Sequence, residues 1–348
     1  MLRGLRSRLK QVPGLAVAYR ALRAGWWRLR PGLPLGPGEK TQAGELWGAR
    51  FAEQAAVASG RPSEWLNSGQ VVRGYVFQHY FGGQDWYDYV RQRYCPQPRE
   101  MGLSLCCGSG VVERQLLKWG ICRACEGIDI SPQAIAVCRR ESEAAGLSTL
   151  SYRVGDVERV RLRPGAYDVA VGWMGLHHLQ RLSRVFREVR RALRRGGIFI
   201  VNEYVGPVRF RMPERQVDLI NEWLDRLPDE LKRTGSGEVR RHFRPPTGAE
   251  LMARDPTEAI CSDQILPLLR RRFVVREQID YGGVLLHWLL SGIMQNFDPD
   301  NEEHRAWLQR LFAAEREVLN SGQLKSDFSF VIAQKPARRP LCEPEGGE

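Results

Sequence analysis

Between residues 98 and 205 short apolar runs alternate with amphipathic stretches, and the apolar runs end in glycines, acids or histidines. The first strand spans 102–107 and the helix after it 111–119. A second strand ends over 127–130. Ser131 and Pro132 then start a helix, a capping hydroxyl followed by proline at the first helical position, and Gly146 is its natural stop. Strands follow at 150–154 and 167–173. Leu182, Phe186, Val189 and Leu193 recur at helical spacing until Gly196 and Gly197, and a fifth strand runs 197–204. This series predicts an α/β chain with a parallel sheet and helices on both faces. Ligands bind such sheets at the carboxyl ends of the strands.

Four strand ends carry candidate chemistry. The first is Cys107, Gly108, Ser109 and Gly110. Glycines let backbone approach a ligand closely, and the helix that follows offers free N–H groups. Glu113 stands where a dinucleotide turn has its third glycine and would repel a pyrophosphate. Asp129, followed by Ile130, comes at the distance of an acid that accepts both ribose hydroxyls. As a helix cap it is superfluous, because Ser131 fills that role. Asp156, followed by Val157, suits an adenine amine, and equally a turn. At the fourth strand end, Gly172 is followed by His177 and His178. A single histidine is more often structural; an adjacent pair at a strand end points to a base that titrates near neutrality. Glu203, near the end of the fifth strand, is the alternative base.

By order and spacing these four signals resemble class I S-adenosylmethionine-dependent methyltransferases over 98–205. The resemblance implies a Rossmann-like, seven-stranded, mostly parallel sheet with an antiparallel last strand, plus a helical N-terminal cap and an insertion. It implies S-adenosylmethionine as cofactor, with the methionine part at the 107–110 turn, the ribose at Asp129 and the adenine amine at Asp156. Ile130, Val157 and Gly172 complete that expected site. Leu193 to Ile200 looks like the family's Leu-x-Pro-Gly-Gly helix end and fifth strand. Two positions depart from the pattern: Ser104 replaces the usual acid of the first strand, and Cys106 the first glycine of the turn. The stretches 202–210 and 280–283 are similar to a bacterial subgroup encoded among cell-surface polysaccharide and glycosylation genes. That likeness implies O-methylation of a sugar hydroxyl.

The 348 residues divide into a basic arm at 1–30, a linker at 31–40, a helical cap at 41–97, the core at 98–205, an acceptor-side insertion at 206–270, the final strands and helices at 271–336, and a disordered tail at 337–348. The arm holds eight of the 52 basic residues and no acid, which leaves 44 basic against 40 acidic residues elsewhere, a balance of +4. A nearly neutral body argues against nucleic acid as partner. In the arm, Leu15, Tyr19, Leu22, Trp26 and Leu29 form one helical stripe. Such a helix fits an anionic membrane surface, docking on the domain, or a presequence. No apolar run is long enough to span a membrane. Pro13, Gly14 and several arginines interrupt any secretory core, so the expected location is the cytoplasm, at the inner face of the membrane if the arm binds there.

Cys122 and Cys125 lack a second pair at zinc spacing, and no metal site is expected. The expected acceptor is a small molecule or glycan. Trp65, Asn67, Arg73, Tyr75, His79 and Tyr80 offer it aromatic faces and donors, and Arg209 and Arg211 could hold an anionic group; a packed cap and solvated loop charges are the plainer alternatives. A competing function class is a non-catalytic methyltransferase-like module tethered by the arm.

Overall fold

A computed structural model describes residues 37–56 and 64–337, with the side chains of 37 and 52–56 left aside. The arm, most of the linker and the tail beyond 337 lie outside these residues.

Helix α1 is Pro37–Ala56. A helical run at 69–80, α2, contains a π-helical stretch at Val72–Phe77. Helix α3 is Trp86–Tyr94, capped by Asp85, whose carboxylate accepts from the amides of Tyr87 and Asp88. The core then alternates β1 (Arg99–Leu105), α4 (Val111–Lys118), β2 (Cys122–Asp129), α5 (Pro132–Ala144), β3 (Leu150–Val154), β4 (Tyr167–Trp173), α6 (Leu182–Ala192) and β5 (Leu193–Tyr204). After β5 come α7 (Glu214–Arg226), α8 (Gly248–Arg254), α9 (Ile265–Arg272), β6 (Val274–Gly282), α10 (Leu286–Leu290), α11 (Glu302–Asn320) and β7 (Phe328–Gln334).

The seven strands lie in the order β3-β2-β1-β4-β5-β7-β6. β7 is antiparallel to both neighbours and alone runs against the rest. The fold is therefore the expected mostly parallel sheet. Central strands β1 and β4 are buried at successive positions, as helices on both faces require. Ser131 accepts from the Ala134 amide and caps α5. Gly146 beyond its end sits at φ +67°, the left-handed conformation that glycine takes without steric cost.

Three local readings need correction. Helix α6 stops at Ala192, not at the glycine pair, because Leu193 already pairs with Tyr167 across the sheet. Within the final strands and helices at 271–336, the apolar stretch 283–294, which reads as one helix from sequence, forms only Leu286–Leu290. Helix α8 was missed, although its capping box is written in the sequence: the Thr247 hydroxyl accepts from the Glu250 amide, and Glu250 reaches back to the Thr247 amide.

Two apolar layers sandwich the sheet. Phe186, Val189, Phe199, Ile265 and Leu269 fill one. Trp65, Tyr75, Phe81, Tyr281, Leu311, Phe328 and Phe330 belong to the other. Within the second, Glu315 of α11 is fully buried and accepts from the amides of Gly283, Val284, Leu285 and Leu286, so it caps α10 from a distance. Burial outweighs those hydrogen bonds and raises its carboxyl to about 7.

Candidate active site

Gly108, Asp129, Ile130, Asp156, Val157 and His178 line one cleft at the carboxyl ends of the strands. Six other expected residues do not line it. Cys107 is buried, with its thiol 3.0 Å from where a Cβ on Gly127 would lie. Ser109 and Gly110 belong to the turn, and Gly110 is the N-cap of α4 at φ +75°. Gly172 sits inside the sheet, where a Cβ would meet the Leu176 side chain at 2.5 Å. His177 and Glu203 lie behind the wall of the cleft.

Asp129 ties the turn to the sheet. One carboxylate oxygen accepts from the Gly108 amide at 3.0 Å, the other from the Ser131 amide at 2.9 Å. Burial raises its pKa against those hydrogen bonds. Each oxygen keeps a lone pair for a further donor. Asp156 accepts from the Glu158 amide at 2.9 Å and pairs with Lys40 at 3.1 Å. Lys40 also pairs with the buried Glu158.

Lys40 belongs to α1, which lies over the cleft. Trp47 and Phe51, about two and three turns further along α1, also line it. A Cβ on Gly108 would come 2.7 Å from the Phe51 ring, so that ring rests where the turn offers its open backbone. The remaining space is about 130 Å³, below the roughly 300 Å³ at which small-molecule pockets begin. Sequence reasoning missed α1 because its own pattern only says helix. It also missed Met174, which lines the cleft at φ +53°, beside Cys106 at φ +54°. Cys106 thus adopts the left-handed conformation that favours glycine.

Beside the cleft lies a buried polar cluster. Glu203 is fully buried and accepts from the amides of Gly175 and Leu176 at 2.7 and 2.6 Å, and meets His177 Nδ1 at 2.6 Å. It is therefore not available as a base toward the cleft, which corrects the sequence expectation. His177 Nε2 lies 3.4 Å from Glu258. Burial opposes its charge, but Glu203 and Glu258 outweigh burial and raise its pKa to about 10. Glu258 is held near 2, with burial opposing and both imidazoles lowering. Burial and the neighbouring His177 lower the pKa of His178.

His178 Nδ1 lies 2.9 Å from the Thr257 hydroxyl, whose own hydrogen goes to Asp255 at 2.6 Å. Thr257 accepts, so Nδ1 donates and Nε2 carries the lone pair. Asp255 in turn accepts from the Trp47 indole at 2.7 Å.

Beyond this cluster opens a second cleft, of about 540 Å³, lined by Phe210, Phe243, Arg254, Trp288 and, at its inner end, Asp255 and Glu258. Three non-glycine residues with positive φ shape it: Arg209, Phe210 and Ala259. The Arg209 amide donates to the Ala259 carbonyl, and its guanidinium to the carbonyls of Pro256 and Glu258. Arg209 thus clamps the loop that bears Glu258 and is not placed as an anion holder. The expected acceptor wall in the cap is also corrected. Trp65 and Tyr75 are fully buried, Tyr75 stacks on Phe312 at 5.0 Å, and His79 and Tyr80 bond to Tyr75. Asn67 and Arg73 line a separate groove.

Residues 103–201 match a family model described as a methyltransferase domain. Over 132 residues the chain is 30% identical to the ubiquinone/menaquinone biosynthesis C-methyltransferase of Caulobacter sp. (strain K31), covering 35% of this chain and 51% of that protein. Over 111 residues it is 32% identical to the ajmaline N-methyltransferase of Rauvolfia serpentina, covering 31% and 37%. The chain spans about half the length of the first of these relatives and less of the second. A crystal structure of the cyclase SpnF is similar over 89% of this chain and all of that one, with a TM-score of 0.51 at 18% identity, which shows a shared fold. Such a domain takes S-adenosylmethionine, and the donor set fits: two strand-end carboxylates, an open glycine and apolar walls share one cleft.

Proposed function

We propose that the chain transfers the methyl group of S-adenosylmethionine to a hydroxyl of a small molecule or glycan, a sugar hydroxyl above all. The observation that carries this reading is the shared cleft of Gly108, Asp129 and Asp156. When bound, the cofactor supplies an electrophilic methyl on a sulfonium. Asp129 accepts from the ribose hydroxyls, and Asp156 from the adenine amine between Ile130 and Val157. Cys107, Ser109, Gly110 and Gly172 shape the turn and the strand end, and do not contact the cofactor through side chains. The acceptor enters by the second cleft. His178 assists loss of its proton through Nε2, which general acid–base chemistry makes worth about 10²–10⁴ in rate. His177 and Glu203 position it.

The basic arm brings the chain to an anionic membrane surface at the cytoplasmic face, in keeping with its likeness to the polysaccharide-associated subgroup. One observation favours the competing reading of a non-catalytic module: α1 leaves little room in the cofactor cleft. Calorimetric titration with S-adenosylhomocysteine separates the two. Micromolar binding that is lost in Asp129→Ala and weakened in Asp156→Asn supports the enzyme. No binding to folded wild-type chain overturns it.

A further inference from the structure

We propose that His177, His178 and Glu258 form a site for a divalent transition-metal cation between the two clefts, an inference that rests on the methyl-transfer reading and deepens it. The three side chains each offer a ligand atom, and these atoms lie within 4.8 Å of one another. His177 Nε2 and Glu258 Oε1 are 3.4 Å apart. Metal–ligand bonds to imidazole and carboxylate are about 2.0–2.2 Å, so two ligands of one ion stand at most about 4.4 Å apart. Small side-chain rotations bring all three onto a single ion.

The outer contacts point the same way. A metal-binding histidine is oriented by a hydrogen bond at its other ring nitrogen. Here both Nδ1 atoms are engaged, His177 by Glu203 at 2.6 Å and His178 by Thr257 at 2.9 Å. Both Nε2 atoms are left for a ligand, and the Glu258 carboxylate completes the set. Two imidazoles and one carboxylate suit a first-row divalent ion and leave positions open on it.

Three carboxylates, Glu203, Asp255 and Glu258, face the two imidazoles. The three carboxylates outnumber the two imidazoles, and the cations beside them are the exposed Arg254 and the clamped Arg209, whose guanidinium is spent on backbone carbonyls. A divalent ion takes the place of the proton shared by His177 and Glu258.

Position gives the ion its use. His178 and Thr257 line the cofactor cleft, and Asp255 and Glu258 line the second cleft. An ion between them meets an acceptor oxygen entering from the second cleft and lowers the pKa of that hydroxyl. With more than one open position it favours acceptors that carry a second oxygen beside the reacting hydroxyl, as vicinal diols of sugars do. With Nε2 on the ion, His178 then holds the ion instead of taking the proton, and the proton of the acidified hydroxyl leaves to solvent through the open second cleft.

The test is a titration of the chelator-treated full chain with Co²⁺, read by its visible ligand-field bands, alongside calorimetry with Zn²⁺. One ion per chain is expected. Glu258→Gln and His178→Ala should each weaken binding at least tenfold. Glu203→Gln, which removes an orienting contact, should weaken it by about 10–100-fold. The circular-dichroism spectrum and melting temperature of each variant serve as the check on folding. A chain that binds S-adenosylhomocysteine but neither metal overturns the site, as does Co²⁺ affinity unchanged in Glu258→Gln. Metal binding by a folded chain that does not take S-adenosylhomocysteine leaves the site standing and overturns the cofactor reading instead.

Discussion

Trp47 donates its indole N–H to Asp255 at 2.7 Å, and this bond joins the helix over the cofactor cleft to the loop that carries Thr257 and Glu258. The same indole packs edge-on against His178, with ring centroids 5.4 Å apart. One side chain thus touches the wall of the first cleft and orders the inner end of the second. Trp47→Phe keeps the ring and removes the donor. It is expected to cost about 1–3 kcal/mol of stability, read as a lower midpoint in urea at unchanged slope. An unchanged midpoint would show that Asp255 is satisfied by Thr257 alone.

Lys40 stands on the carboxylates that the cofactor reading needs. Its pairs with Asp156 and Glu158 are only partly exposed. Without Lys40, the ion pair left to Asp156 among the described residues is the longer one with the exposed Arg159, at 3.4 Å, and Asp156 has room for another donor. Lys40→Gln is therefore expected to tighten S-adenosylhomocysteine binding a few-fold, the scale of an ion pair worth up to about 1 kcal/mol. Weaker binding in calorimetry would instead make Lys40 part of the cofactor site.

Glu113 gives stability a pH dependence. It is fully buried in the first turn of α4, and neither carboxylate oxygen has a hydrogen-bond partner among the described residues. Burial raises its pKa from 4.5 to about 7. Below the lower value both folded and unfolded chains hold the proton. Between the two the unfolded chain loses it first, so stability falls as pH rises. The loss approaches about 3 kcal/mol above pH 7. Glu113→Gln cannot titrate, so its melting temperature should gain on wild type from pH 5 to pH 8. An equal gap at both pH values would refute the assignment.

Glu315 should be the costliest of the polar residues to truncate. Glu315→Ala strips the acceptor from four buried amides, at an expected cost of at least about 3 kcal/mol. Glu315→Gln keeps one side-chain oxygen and should lose less. Chemical denaturation of both variants gives the order, and equal losses would mean that the charge matters and not the acceptor.

The alternation of strands and helices was legible because each burial face has its own period, and the sheet follows from it. Asp129 and Asp156 were legible because topology alone puts strand ends on one crevice. The cover formed by α1 was not, because an amphipathic helix does not state what it lies on. Glu203 was misjudged for a related reason. Its place near the end of β5 is written in the sequence, but the amides of Gly175 and Leu176 that enclose it come from another strand's loop. Glu258 had no signal at all, since only the left-handed turn at Ala259 and the Arg209 clamp bring it to His177. Aromatic residues of the cap looked like an acceptor wall because composition does not distinguish a ring that stacks on a ligand from one that stacks on Phe312.

The hold of Lys40 on Asp156 also bears on turnover. On the methyl-transfer reading, Lys40 competes with the spent cofactor as fully as with the fresh one, because both would present the same adenine and ribose to Asp156 and Asp129. The ion pair would then work as an ejector: it lowers the affinity for both alike, and in exchange it shortens the stay of a product that would otherwise block the next cycle.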